Sequence, residues 1–190
     1  MATDGNLDVV VICGSLRKGS YNAALARTLP RLAPKTMKLR DAPPFDRIPH
    51  YNFDIQHADG FPAEVTAFAD AIRAADGVII VSPEYNWTIP GALKNAIDWV
   101  SRMKDQPFKD KPVALQSCAG GVLGGARMQY HMRQSLTSID AILFGRPEIL
   151  VTFAAKKFDE KTLELTDQPT IDIVIQQLAA FDAFIRRVRD

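Results

Sequence analysis

From Gly14 to Asn22 the chain reads Gly-Ser-Leu-Arg-Lys-Gly-Ser-Tyr-Asn, a run whose residue types suit an anion. Glycines let a backbone turn tightly and bring its N–H groups inward. Ser15, Ser20 and Asn22 add neutral donors, and Arg17 adds a permanently charged fork that matches phosphate oxygens. A helix starting near Ser20 or Tyr21 would aim the positive end of its dipole into the same space. Together these features favour a terminal phosphate dianion. The same residues also suit an ordinary turn with Ser20 as helix cap. A strand before the run and a helix after it favour the phosphate.

Three other phosphate motifs fail on spacing. The dinucleotide pattern G-x-G-x-x-G is absent, because Leu16 stands where the second glycine belongs. No Gly-Lys-Ser/Thr ending of a P-loop follows. Small tyrosine phosphatases place a C-x5-R loop after a first strand, but only three residues separate Cys13 from Arg17. That loop is too short to wrap a transferring phosphoryl group.

A second run, residues 82–99, reads Ser-Pro-Glu-Tyr-Asn-Trp-Thr-Ile-Pro-Gly-Ala-Leu-Lys-Asn-Ala-Ile-Asp-Trp. Tyr85, Asn86 and Trp87 sit between Pro83 and Pro90, so a stiffened loop offers apolar surface for a planar ring to lie against. As isolated aromatics they would equally read as a surface turn packing on its neighbours.

The elements that must position these loops follow from periodicity. Residues 7–13 form a short, valine-rich apolar run, as expected of a strand covered on both faces. Residues 21–33 carry Leu25, Leu29 and Leu32 on one helical face. Residues 37–40 give a weak second strand, and the proline-rich stretch 42–62 reads as a long loop. Val65, Phe68, Ala69 and Ile72 mark a helix, residues 77–82 a third strand, and Leu93, Ala96, Ile97 and Val100 a helix opened by Pro90. A fourth strand at 112–118, a helix at 123–139 and a fifth strand within 141–153, interrupted near Gly145 and Pro147, come next. The last helix carries Ile171, Val174, Ile175, Leu178, Phe181, Ile185 and Val188 as its inward stripe. Alternating strands and helices predict an α/β fold, a five-stranded parallel sheet in the flavodoxin-like order 2-1-3-4-5 with helices on both faces. Ligands then bind beyond the carboxyl ends of strands 1 and 3, at the loops after Cys13, Ser82 and Cys118.

The segment P-E-Y-N-x-S/T-x-P-G-x-L-K-N-A-I-D-W, following G-S-x-R-x-x-S-x-N, resembles the NADPH-dependent FMN reductase family of flavodoxin-like proteins. Thr88 stands where serine is usual, and Trp87 where relatives often carry another large residue. Residues 101–108 and 124–131 look like the quinone and chromate reductase branch. The resemblance implies FMN as cofactor, NADPH or NADH as electron donor, and ping-pong hydride transfer to a small acceptor such as a quinone, a flavin or a metal oxyanion. It places Ser15, Arg17, Ser20, Asn22 and Ala23 on the FMN phosphate. Pro83, Glu84, Tyr85, Asn86 and Trp87 line the isoalloxazine, and the turn from Ser117 through Gly120 and Gly121 closes the other side. No side chain is required as a catalytic acid or base, since the flavin carries the chemistry. A homodimer or homotetramer is the implied assembly, with Arg127 and Tyr130 at a subunit contact and Trp99 on an interface face.

Bulk properties agree with that reading. Length 190 suits one domain spanning residues 1–190. The 23 basic and 22 acidic residues nearly cancel, which argues against a nucleic-acid partner. It argues also against an acidic flavodoxin-type electron carrier, the alternative along with a non-catalytic flavin-binding module. No apolar run approaches the ~20 residues of a membrane span, and the N-terminus lacks a signal-peptide pattern, so a cytoplasmic location is expected. His50, His57 and His131 show no metal-ligand spacing. Cys13 and Cys118 end strands that are not neighbours, too far apart for a disulfide, and read as buried small hydrophobes.

Overall fold

A computed structural model describes residues 5–189. Strands β1 (Leu7–Cys13), β2 (Met37–Asp41), β3 (Gly77–Val81) and β4 (Pro112–Cys118) are parallel. With β5 (Ile142–Leu143) they run in the order β2-β1-β3-β4-β5. This is the flavodoxin-like order expected above. Along β1 the side chains alternate between the two faces. Val10 and Ile12 pack against helices α3 (Ala63–Ala74), α4 (Gly91–Val100) and α5 (Ala126–Thr137). Val9 and Val11 pack against α1 (Tyr21–Leu32) and α6 (Gln168–Arg189).

The fifth strand is split, as Gly145 and Pro147 suggested. Its first piece, β5, pairs with Pro112 and Val113; its second, β6 (Ile149–Val151), pairs with Gln116 to Cys118. Gln177 of α6 fills the gap. Its Nε2 donates to the carbonyls of Leu115 at 3.3 Å and Pro147 at 2.7 Å, and its Oε1 accepts from Gln116 Nε2 at 2.8 Å. A buried side-chain amide thus answers carbonyls left without a continuous strand partner.

Four expectations are corrected. The 42–62 stretch contains a short helix, α2 (Phe53–Asp59), capped by Asn52. The helix expected from residue 123 starts at Ala126, because Gly124 and Gly125 take φ of +58° and +93°. Ile175 is 42% exposed and leaves the α6 stripe. Trp99 is not on an exposed face: it is fully buried, its Nε1 donates to the Pro49 carbonyl at 2.7 Å, and Tyr51 and Phe61 meet it edge-on. Asn95, one helical turn earlier, accepts from the Tyr51 N–H and donates to Pro49. Asn95 and Trp99 therefore strap the long loop onto α4. No helix of the described residues is long and apolar enough to cross a membrane.

Candidate functional site

In a parallel sheet every strand delivers its following loop to the same edge. The register pairs Cys13 with Val81 and Val81 with Gln116, so the loops after β1, β3 and β4 leave from one rim. Gly14 lies so close to the β3 loop that a Cβ there would collide with Ser82 Oγ, and its N–H donates to the Val81 carbonyl. The first and third strand ends are thus in direct contact.

In the first loop, the N–H groups of Ser15 to Gly19 meet no acceptor among the described residues, and the exposed Arg17 guanidinium has no ionic partner there. Ser20 is buried and caps α1, its Oγ accepting from the N–H groups of Asn22 and Ala23 at 3.1 and 3.4 Å. Asn22 does not open onto the loop. It is 4% exposed, its Nδ2 donates to the Cys118 carbonyl at 3.0 Å, and its Oδ1 accepts from the Cys118 N–H at 2.9 Å. The side-chain amide expected at an anion is instead spent on the loop after β4.

The β3 loop is a two-residue hairpin. Tyr85 and Thr88 exchange both backbone hydrogen bonds at 3.1 and 3.0 Å, with Asn86 and Trp87 between them at φ of +49° and +69°. Positive φ at both central positions is the signature of a type I′ turn. A tryptophan held there is strained by about 1 kcal/mol or more, so the turn must be held from outside. Glu84 supplies one hold: its Oε2 accepts from the Met128 N–H in the first turn of α5 at 3.1 Å, and its Oε1 lies 3.8 Å from Arg127. Arg127 supplies a second, 4.2 Å over the Trp87 ring. His131 Nδ1 and Thr88 Oγ1, 2.8 Å apart, supply a third. The proline-bounded aromatics were legible in the sequence; the turn type and its fasteners on α5 were not. Tyr85 and Trp87 remain 48% and 66% exposed, and the N–H groups of Glu84, Asn86 and Trp87 have no acceptor within the described chain. Pro83 is buried beneath them.

After β4, Gly120 and Gly121 have ordinary φ values, and a Cβ on either would meet nothing within 4 Å. Nothing among the described residues calls for glycine at these positions. Their exposed faces and unpaired N–H groups fit an approach from outside. Ser117 is corrected from a lining residue to a support: fully buried, it donates to the Gly124 carbonyl at 2.6 Å and accepts from Gln129 Nε2 at 2.9 Å. The flanking thiols are quiet. Burial raises the pKa of Cys13 and pushes the Cys118 thiol up further, so neither is an activated nucleophile.

Among the described residues, a guanidinium without an ionic partner beside free amides at a helix start, an aromatic hairpin and a side-chain-free opposite wall fit FMN: an anionic tail at one end and a flat ring at the other. Comparison with known proteins points the same way. Residues 7–156 match the family model of NADPH-dependent FMN reductases. The chain is similar to a quinone reductase of Escherichia coli (strain K12), 51% identical over 183 residues, covering 96% of this chain and 97% of that one. It is 41% identical to an NAD(P)H-dependent FMN reductase of Pseudomonas aeruginosa, over 97% and 98% of the two chains. Among solved structures, the flavoenzyme NAD(P)H:(acceptor) oxidoreductase FerB from Paracoccus denitrificans superposes with a TM-score of 0.84 at 31% identity, covering 95% of this chain and 98% of that one.

Proposed function

The chain belongs to the NADPH-dependent FMN reductase family, and from that premise we propose that its rim of three loops holds FMN and exchanges a nicotinamide donor for a small acceptor at one open face. It is an NAD(P)H-dependent reductase of the quinone reductase kind, with FMN as cofactor. When bound, FMN supplies the redox chemistry, taking hydride from the nicotinamide and handing two electrons on.

The protein's part is placement. Arg17, the hydroxyls of Ser15 and Ser20, and the amides from Ser15 to Gly19 would hold the phosphate, with Ala23 supporting the loop through its bond to Ser20. Hydrogen bonds to a charged group contribute about 1.5–3 kcal/mol each. Pro83, Glu84, Tyr85, Asn86 and Trp87 would line one edge of the ring, with Gly120 and Gly121 approaching from the other side. The free N–H groups of Asn86, Trp87, Gly120 and Gly121 favour negative charge on whatever they face. No acid or base is required of a side chain.

The observation that carries this reading is the pairing of Arg17's unpartnered charge with the strained, externally fastened hairpin at the adjacent strand end. Because the rim is open, donor and acceptor would use the same space in turn, with quinones, flavins or metal oxyanions as acceptors. Exposed Val122, Leu123 and Tyr130 support burial in a homodimer or homotetramer. One sheet serving both packed faces supports a single domain over residues 1–190.

Initial rates with NADPH and benzoquinone varied together test the exchange. Parallel double-reciprocal lines are expected. Intersecting lines would reject a shared site, and an absence of steady NAD(P)H oxidation would favour an electron carrier instead.

A further inference from the structure

The bond between Asn22 and Cys118 spans 96 positions and joins the two loops that the cofactor reading assigns to opposite ends of FMN. Its geometry follows from the sheet. In a parallel strand the N–H and C=O of one residue point to the same side, and successive residues alternate. The Gln116 carbonyl accepts from the Ser82 N–H, so Gln116 faces β3. Cys118, two residues on, faces that side too. By then, however, β3 has ended and the chain has turned away at Pro83. The Ser117 and Ala119 positions face β6 and are paired there, Ala119 donating to Val151. Cys118 alone would be left with an unanswered donor and acceptor, buried at 3% exposure.

Asn22 supplies both answers. A side-chain amide has the same donor and acceptor as a peptide group, and here it stands where the next residue of β3 would have stood. Its own position is fixed by Ser20, which accepts from its backbone N–H. The first turn of α1, against which the phosphate loop rests, is thereby locked to the root of the Gly120-Gly121 loop.

On the reading that this rim binds FMN, we infer that Asn22 is a positioning residue that sets the distance between the phosphate loop and the ring-closing loop, and is not itself a phosphate ligand. Its loss frees the Cys118–Gly121 segment, so binding of the ring weakens whether or not a phosphate is present. A direct phosphate ligand would behave otherwise, since riboflavin, which has the ring and lacks the phosphate, would not notice its removal.

The test is the dissociation constants of FMN and of riboflavin, measured by fluorescence quenching on the full apoprotein. Asn22→Ala is expected to raise both by a similar factor, about tenfold, while Arg17→Ala raises only that for FMN. Asn22→Gln, which keeps the neutral amide but displaces it by one methylene, shows the same pattern more weakly and serves if the alanine variant does not fold. A core variant remote from the rim, Leu178→Ala, is the control for general destabilisation and keeps its riboflavin affinity. Amide exchange in the apoprotein should speed up at Cys118 in Asn22→Ala but not at Ala119. Weakened FMN with unchanged riboflavin would overturn the inference, as would no change in either, or an equal loss in the core variant. If the unaltered chain binds no FMN, the cofactor assignment falls and this inference with it; the other failures leave FMN binding intact.

Discussion

The guanidinium of Arg127, on the first turn of α5, lies 4.2 Å from the centroid of the Trp87 ring, on a hairpin whose backbone a tryptophan seldom adopts. An exposed cation–π contact contributes about 0.5–1 kcal/mol, comparable with the penalty for a bulky residue at positive φ. Contact and strain nearly cancel. The hairpin is held in shape rather than stabilised.

Trp87→Gly removes both the strain and the contact. The melting temperature should therefore stay within a few degrees of the parent or rise. Flavin affinity, measured by fluorescence quenching, should nevertheless fall several-fold as the apolar face is lost. A large drop in melting temperature would show that Trp87 serves the fold rather than a ligand.

Gly121→Ala separates fold from site in the opposite direction. A Cβ there meets no atom of the chain within 4 Å, and its φ is ordinary, so stability should be unchanged or gain up to about 1 kcal/mol. FMN binding should weaken at least several-fold, because the methyl occupies space the ring needs. Equal affinity in titrations of parent and variant would remove this loop from the site.

Gln177→Leu tests the interrupted fifth strand. It leaves the carbonyls of Leu115 and Pro147 and the amide of Gln116 without their partner in a buried setting. A loss of about 2–4 kcal/mol in denaturant unfolding is expected. A loss under about 1 kcal/mol would mean that those groups find other partners.

Asp167 sets an acid limit. The Thr170 hydroxyl, the Thr170 N–H and the charge of Lys157 lower its carboxyl pKa below the usual value. A folded-state pKa below the unfolded one gives stability that is present above about pH 4 and is lost as pH falls through the folded value. Asp167→Asn should cost about 1 kcal/mol near neutrality, as expected for a weakened helix cap, and the gap from the parent should narrow in acid. Melting curves across pH 3–7 (~3 to ~7 spans the carboxylate range) check this; a gap that widens in acid would contradict it.

The fold was legible because its signals are local. The valine run of β1 and the all-apolar β3 need no partner to be recognised, and alternation of strands with helices then restricts the topology. The candidate site was legible as two motifs and the rim that their strands share. What stayed hidden depends on contacts distant in sequence. Asn22 reads as a free donor until its partner 96 residues later is known. Ser117 reads as a lining residue until Gly124 and Gln129 claim its hydroxyl. Trp99 falls outside the helical stripe only because its burial comes from the 42–62 segment folding over α4, a cover no periodicity of the helix encodes. Ile175 fits the stripe by spacing yet is left 42% exposed.

On the proposed function, one rim, made by the loops after β1, β3 and β4, receives FMN. Amide hydrogen exchange of the full chain with and without FMN addresses it directly. Slowed exchange at residues 15–19, 84–87 and 120–121 together is the predicted result. Protection confined elsewhere, for example to residues 41–46 beyond β2, with those three loops unchanged, would contradict it.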